Sequence, residues 1–291
     1  MVIKKLLFVT KFEELRFDAL QSLLNLRKAA LDHVVLLNVI EREKVAMHRG
    51  SGYQKTEELK LREKANIRFI DWAENLFEQG MEVGVYIVVG SLVQQVVSSW
   101  EKENADIIVM GPPHKGKLEQ LYSGSDITEI IHRTATPVLV YKDLPKGGNK
   151  NGMPFERPLF ATNWSPADQE SIECLKGLKK VIQEVNVIHV NDEKELNGSS
   201  ITEVQKTRKE SRNRLDNICD TLEAEGINAN PHVYIGDTIS EIEKAAQECR
   251  ATMIVVGSSG RNRLKDRWTG STAKILAEKS NFPTLIISDP S

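Results

Sequence analysis

Short apolar runs alternate with longer amphipathic stretches along the whole chain. Val34–Ile40 and Met253–Val256 contain almost no polar residue, which is typical of strands buried on both faces. Thr56–Gln79 instead carries its apolar residues at helical spacing, and its predicted buried face consists of Phe69, Ile70, Ala73, Leu76 and Phe77. Regular alternation of such elements predicts an α/β fold, in which helices cover both faces of a parallel sheet.

The second half of the chain repeats the first. Gly111 and Gly257 are 146 residues apart (257 − 111), and Gly124 and Gly270 are separated by the same number. Solenoid repeats have periods of roughly 20–50 residues, so this period is that of a whole domain. The sequence therefore predicts two copies of one domain.

Glycine and proline are concentrated between the two copies, in residues 144–156. This composition is typical of a linker, so we predict domains over residues 1–143 and 157–291. Five predicted strands in each half indicate tandem doubly wound domains, each a five-stranded parallel sheet with helices on both faces. Ligands of such sheets bind beyond the carboxyl ends of the strands.

Composition excludes several classes of protein. A net charge of −2 argues against a general nucleic-acid binder, which usually carries a large basic excess. No apolar run approaches the roughly 20 residues that cross a bilayer, and charged residues follow the first strand at once, so we expect neither a membrane span nor a signal peptide. Cys174, Cys219 and Cys249 form no Cys-x-x-Cys pair, which favours free thiols in the cytoplasm.

A glycine-rich segment follows the fourth strand of each half. In the second half it comprises Gly257, Ser258, Ser259 and Gly260, then nine residues, then Gly270, Ser271 and Thr272. Glycines before a helix start allow backbone amides to hold an anion, and Arg261 would screen the charge of a phosphate. Turns without a ligand are the alternative for the glycines, and a solvated loop is the alternative for the arginine.

The first half carries an altered copy of this segment. Gly111 and Gly124 remain, but His114 replaces the second glycine. Pro112 and Pro113 also remove two amide donors. We therefore predict a degenerate nucleotide loop in the first domain.

Three other motifs of phosphate chemistry are incomplete or absent in this sequence. The segment from Gly111 nearly matches a P-loop, but Leu118 stands where a metal-binding Ser or Thr is required. A dinucleotide motif after the first strand is absent, and Lys11 and Asn163 replace the acids that a phosphotransfer receiver needs there.

Asp237 would either reach a metal or cap a helix, and capping is the commoner role.

These features resemble the universal stress protein family in its tandem two-domain form. Nucleotide-binding members carry Gly, two residues, Gly, nine residues and Gly-Ser/Thr, which the second half matches. The resemblance implies ATP, usually with a divalent metal such as Mg²⁺, and an aspartate at the place of Asn163, so weakened nucleoside contact is expected. The predicted nucleotide-binding residues are Thr162, Asn163, Val190, Val256, Gly257, Ser258, Gly260, Arg261, Gly270, Ser271 and Thr272.

The resemblance also implies a function and an assembly. We expect an ATP-binding regulatory protein of the stress response, with the nucleotide held by the second domain. By the resemblance, the last strands Val138–Tyr141 and Thr284–Ile287 pair and make one chain a pseudo-dimer. A scaffold that binds no nucleotide and a weak ATPase remain as alternatives, and no catalytic residue is assigned because no paired carboxylates lie near the loop. A further homodimer and an unknown protein partner are left open.

Overall fold

The first half forms five strands and the helices between them. A computed structural model of the protein describes residues 1–12, 15–45, 54–112, 124–143, 153–196, 198–258 and 269–288. The strands of the first half are β1 (Lys5–Val9), β2 (His33–Glu41), β3 (Glu82–Gly90), β4 (Ile107–Met110) and β5 (Val138–Val140). Its helices are α1 (Phe17–Leu23), which a 3-10 helix continues over Leu24–Ala29, α2 (Arg42–Val45), α3 (Lys55–Glu78), α4 (Leu92–Glu103) and α5 (Gly124–Arg133).

The second half repeats this order. Its strands are β6 (Pro158–Ala161), β7 (Val185–Asp192), β8 (Ala229–Gly236), β9 (Met253–Ser258) and β10 (Thr284–Ser288). Its helices are α6 (Ala167–Gly177), α7 (Ile201–Glu223), α8 (Thr238–Glu248) and α9 (Thr269–Lys279). None of the helices in the described part of the chain is long and apolar enough to cross a membrane.

The ten strands of the described residues lie in one sheet, in the order β3-β2-β1-β4-β5-β10-β9-β6-β7-β8. Within each half the described strand pairs are parallel, so the predicted fold class is confirmed. The halves meet where β5 and β10 pair antiparallel, with Leu139 opposite Leu285. The expected pairing of the two last strands is therefore present, and it joins two five-stranded sheets into one.

The core has two layers, one on each face of the sheet. Successive strand residues point to opposite faces, so Leu6 and Phe8 enter one layer while Leu7 and Val9 enter the other. Each layer contains buried residues of both halves. The two halves therefore share their cores across the β5–β10 pair.

Helix α3 is rotated relative to its predicted buried face. The residues that pack towards the sheet are Ala65, Phe69, Trp72 and Leu76. Ile70 and Phe77, which were predicted to be buried, are 48% and 76% exposed. The prediction was wrong for these two because a helix with apolar residues on more than one side offers two stripes, and spacing alone does not identify the buried one.

The end of the predicted linker packs against the second half. Phe155 is buried in the core, and the Thr252 hydroxyl donates a hydrogen bond of 2.8 Å to the Pro154 carbonyl. Residues 144–152 lie outside the described residues. The domain boundaries themselves stay a prediction.

Asp237 caps helix α8. Its Oδ1 atom accepts hydrogen bonds from the Ser240 amide at 3.0 Å and from the Ser240 hydroxyl at 2.8 Å. These bonds favour the ionised form and lower the pKa of the Asp237 carboxyl. Within the described ranges, no group of three or more His, Cys, Asp or Glu side chains is arranged to hold a metal ion.

We expect Asp237→Ala to lower the free energy of unfolding by about 1 kcal/mol, the usual cost of losing a side-chain N-cap. Urea unfolding followed by circular dichroism measures this change. Asp237→Asn is the matched control, because asparagine caps about as well as aspartate. An asparagine variant as unstable as the alanine variant would contradict the capping role.

Candidate functional site

A cavity of about 550 Å³ lies at the carboxyl ends of the second-half strands. Pockets for small ligands usually measure roughly 300–1,000 Å³. Six predicted site residues line it, namely Thr162, Asn163, Val190, Val256, Gly257 and Thr272. Gly270 and Ser271 belong to the first turn of α9. Gly260 and Arg261 lie outside the described residues.

Strand β9 extends two residues beyond its predicted end. Gly257 and Ser258 pair with Ile287 and Ser288 of β10, so they belong to the sheet and not to a loop. Ser258 is buried and does not line the cavity. The short apolar run predicted the strand correctly but not its continuation through two small residues.

Gly257 has a packing role in addition to its place at the cavity. A Cβ atom at this position would lie 2.9 Å from the Cβ atom of Ala167 in α6 and 3.4 Å from the Ser165 hydroxyl oxygen. Real Cβ atoms essentially never approach at the shorter distance. The glycine therefore permits close contact between α6 and β9 whether or not a ligand is bound.

The start of α9 forms one end of the cavity. Thr272 lines the cavity within the first turn of this helix. The first four amides of a helix have no partner within the helix, and its dipole adds partial positive charge there. This end of the cavity is suited to an anion.

Acidic residues line another part of the cavity. Asp192 lies at the end of β7, Glu195 follows it, and Glu210 lies on α7. None of the three was predicted as a site residue. For Glu210 the reason is that α7 reaches the cavity only through the tertiary fold. Carboxylates accept hydrogen bonds from sugar hydroxyls and repel phosphates. The cavity therefore has one end that favours an anion and another part that repels it.

A buried carboxyl fixes the turn that follows β6. The Thr162 hydroxyl donates a short hydrogen bond to Oδ2 of Asp168 and accepts one of 3.1 Å from the Trp164 amide. The other oxygen, Oδ1, is buried without a hydrogen bond among the described residues. Burial raises the pKa of Asp168 to about 6, against the opposing effect of the Thr162 bond.

Trp164, His189 and Arg214 form a stacked group at the cavity wall. The Trp164 indole N–H donates to Nε2 of His189 at 3.2 Å, and Nδ1 of His189 lies 2.9 Å from the Thr162 carbonyl. Nε2 accepts a hydrogen bond and Nδ1 faces a carbonyl oxygen, to which it donates. The imidazole is therefore neutral, with its proton on Nδ1. Burial lowers the pKa of His189, which agrees with the neutral form. The Arg214 guanidinium lies 4.0 Å from the Trp164 ring centroid.

The first half builds the same turn. The Asn38 side chain donates to the Thr10 carbonyl at 2.9 Å, as His189 does to Thr162. Phe12 has φ 72° and Trp164 has φ 62°, and Arg68 lies 5.0 Å from the Phe12 ring centroid. The turn is thus a property of the repeated domain.

The first-half cavity is filled by a lysine. It measures about 80 Å³, and Lys11 lines it at the place that Asn163 takes in the second half. The Lys11 ammonium is buried, 2.6 Å from a carboxylate oxygen of Glu41. The long side chain occupies space that the shorter Asn163 leaves open. Of the altered glycine segment, His114 and Pro113 lie outside the described residues.

One family model matches both halves of the chain, and curated proteins of that family match part of it. The model of the universal stress protein family matches residues 3–142 and 165–288. Universal stress protein MJ0577 of Methanocaldococcus jannaschii is 26% identical in an alignment 153 residues long, and the match covers 46% of this chain and 94% of that protein. Universal stress protein YxiE of Bacillus subtilis is 27% identical in an alignment 146 residues long, and the match covers 46% of this chain and 99% of that protein.

Solved structures of two-domain length have the same fold. A universal stress protein from Archaeoglobus fulgidus superposes with a TM-score of 0.71 at 22% identity, over 98% of this chain and 96% of that chain. A putative universal stress protein from Pseudomonas aeruginosa gives a TM-score of 0.64 at 19% identity, over 98% and 93%. At these identities the likeness concerns the fold alone. Since the family model covers most of both halves, the chain belongs to the universal stress protein family and contains its domain twice in tandem.

Proposed function

We propose that this protein is an ATP-binding regulatory protein of the stress response and that the second half alone holds the nucleotide. The observation that carries the proposal is the contrast between the two equivalent cavities. The second-half cavity measures about 550 Å³, and the first-half cavity measures about 80 Å³. Among the described residues, the larger of these two cavities has the volume of a nucleotide-sized ligand and the smaller does not.

The charges around the cavity support one orientation of the ligand. The phosphates would lie at the start of α9, where free amides and the helix dipole favour an anion. The ribose hydroxyls would face Asp192, Glu195 and Glu210, which line the cavity and accept hydrogen bonds. Val190 and Ile242 offer apolar contact to the base.

The divalent metal expected with ATP fits this arrangement without a protein cage. Mg²⁺ usually keeps several waters and binds through phosphate oxygens with one or two protein ligands. The Thr272 hydroxyl, at the cavity, is a candidate for such a ligand. The absence of a metal-ligand cluster within the described ranges is therefore compatible with Mg²⁺ bound through the nucleotide.

ATP would act as a regulatory ligand by ordering the elements that meet at the cavity. It would contact the end of β6, the end of β7 and the start of α9 together, so its binding energy would favour the conformation in which they are assembled. We expect this regulation in the cytoplasm, because the described cysteines are free thiols and two of them are buried.

Asn163→Lys is expected to weaken ATP binding at least about 100-fold, because the lysine would fill the cavity as Lys11 fills its counterpart. Asp192 takes the place of Glu41 and is available to pair with the new ammonium group. Isothermal titration of Mg-ATP onto nucleotide-free protein measures the affinity and the number of sites. The wild-type chain should bind a single nucleotide.

Lys11→Asn is the matched control, since it makes the reverse exchange in the other half. It should leave the affinity of the second-half site within about twofold, because distant sites act independently. Unchanged binding by the Asn163→Lys variant would contradict the proposed site. Folded wild-type protein that binds no adenine nucleotide would favour the scaffold alternative.

A further inference from the structure

Helix α3 carries an exposed apolar stripe. Its four members are Leu59, Ile67, Ile70 and Phe77, with exposed fractions of 57%, 58%, 48% and 76%. They lie on a long, well-formed helix that also has a separate buried face. At about 100° per residue these four positions lie within about 80° of one another around the helix axis, so they share one face. Exposed apolar surface concentrated on one face often marks an interaction site of a soluble protein.

The duplicated fold supplies an internal comparison for this α3 stripe. The residues of α7 that lie 146 positions further along are Gln205, Asn213, Asp216 and Glu223. Arg68 and Arg214, which contact equivalent aromatic rings, are related by the same offset. The domain therefore does not require apolar residues at these positions, and the first half has them for another reason.

Strand β3 of the same half forms one edge of the described sheet, where the Arg62 side chain is bonded to the Ile87 carbonyl. It is the terminal strand of the described sheet and pairs with β2 over all its residues. Because the Glu82 amide bonds towards the β2 side, the alternation of a parallel pair turns the N–H and C=O groups of Val83, Val85 and Ile87 to the free edge. Val85 is 41% exposed.

The opposite edge of the sheet is protected. Strand β8 has Pro231 at the position equivalent to Val85, again 146 residues apart. Proline has no N–H group to offer a further strand and is a common means of blunting an edge. The first half thus has an edge strand without proline and apolar residues on the exposed side of α3. The second half has a proline in its edge strand and polar residues at the equivalent positions of α7.

The α3 stripe and the free edge of β3 lie on the same side. The Arg62 guanidinium donates a hydrogen bond of 2.6 Å to the Ile87 carbonyl at that edge. With about 100° per residue around the helix, Arg62 lies between the buried face and the stripe. The α3 stripe therefore lies next to the edge of β3, and one partner could contact the stripe and the edge together.

We propose that the partner is a second copy of this chain, joined through antiparallel pairing of the two β3 edges with the two α3 stripes in contact. The stripe is self-complementary under twofold symmetry, since Leu59 would meet Phe77 of the second copy and Ile67 would meet Ile70. Its midpoint, near Arg68, lies about 9 Å along α3 from Arg62. That distance equals about three residues of β3, so the midpoint stands beside Gly84 and Val85.

The protein already uses this arrangement within one chain. Strands β5 and β10 pair antiparallel, and the helices α5 and α9 contact each other beside them. Pairing of two β3 strands would repeat it and extend the sheet through both copies. Because Pro231 protects the outer edges of the resulting assembly, growth would end at two copies.

Light scattering with size-exclusion chromatography over a range of concentrations tests the assembly on the full chain. Wild-type protein should be dimeric. Two variants copy the second half, namely Ile70→Asp with Phe77→Glu, and Val85→Pro. Each should raise the concentration at which half of the chains are dimeric at least about tenfold. The first variant would place charge in the interface, and the second would remove an N–H donor from the edge of β3. A monomeric wild-type chain, or one recovered on lipid vesicles, would overturn the proposal.

A cross-link locates the interface. Val85→Cys should give a disulfide-linked dimer on mild oxidation, because Cα atoms opposite each other in antiparallel strands lie about 4.5–5.5 Å apart. Ile235→Cys, on the exposed part of the opposite edge, is the matched control and should stay unlinked. Circular dichroism confirms that each variant is folded. A dimer that forms no Val85→Cys cross-link, or persists unchanged in the Asp/Glu variant, would also overturn the proposal.

Discussion

Leu285→Ala is expected to lower the free energy of unfolding by about 2–5 kcal/mol, the largest effect predicted for this chain. Leu285 is fully buried and lies opposite Leu139 where β10 pairs with β5. The pair stands at the junction of the two halves, so the cavity left by the truncation would be surrounded by core from both sides. Paired strands on both sides leave the surrounding residues little freedom to close this cavity. We therefore expect a loss of free energy of unfolding in the upper part of the range. Urea unfolding measures the change.

Ile201→Ala provides the control for this substitution. Ile201 is 79% exposed, so its truncation should change the free energy of unfolding by no more than about 0.5 kcal/mol. A Leu285→Ala variant as stable as the control would mean that the junction of the halves contributes little. That result would be inconsistent with one core that continues across the two halves.

The second large effect concerns pH and Asp168. The pKa of this carboxyl is raised from 3.8 to about 6 by burial. Between these values the folded chain holds a proton that the unfolded chain has released. The contribution of Asp168 to stability is therefore full below about pH 4 and falls as the pH rises to 6. The loss amounts to about 2–3 kcal/mol.

Asp168→Asn should remove this dependence. The amide is neutral at every pH and keeps an oxygen that accepts from Thr162, so the variant should be more stable than the wild type at pH 7 and about equally stable near pH 4. The difference between the two unfolding profiles cancels other groups, among them His189, whose lowered pKa acts in the opposite direction. A difference that does not change from pH 4 to 7 would contradict a raised pKa.

Asp237→Asn gives a comparison of opposite sign. The pKa of Asp237 is lowered by the hydrogen bonds of Ser240, so its contribution is present at neutral pH and is lost as the pH falls. Its difference profile should slope against that of Asp168. Equal slopes for the two variants would indicate a general effect of pH on the protein.

Local pattern was sufficient for most of the fold. Buried parallel strands have near-continuous apolar sequences, so Val34–Ile40 and Met253–Val256 were recognisable, and the constant separation of Gly111 and Gly257 revealed the duplication. The pairing of the two last strands was expected only through the family resemblance, and its antiparallel sense was not predicted. Periodicity does not encode which edge of a sheet meets which.

The candidate site was predictable where residues follow a strand end directly. Thr162 and Asn163 come straight after β6 and do line the cavity. Asp168 and Arg214 were missed, because one is a helical carboxyl with no distinctive spacing and the other arrives from a helix about 50 residues away. The second apolar stripe of α3 was assigned to the core for a related reason, since spacing shows a stripe but not its environment.

The contact between Gly257 and Ala167 bears on how members of a diverging family are sorted by motif. A glycine that the scaffold needs for close helix contact survives the loss of a ligand, because replacing it would damage folding first. Its presence in a related sequence then reports an intact domain, and not an occupied pocket. The residue after the first strand of each copy distinguishes the two conditions better, since it is Asn163 beside the open cavity and Lys11 in the filled one. In this chain the two copies are thus distinguished by a position that carries no glycine at all.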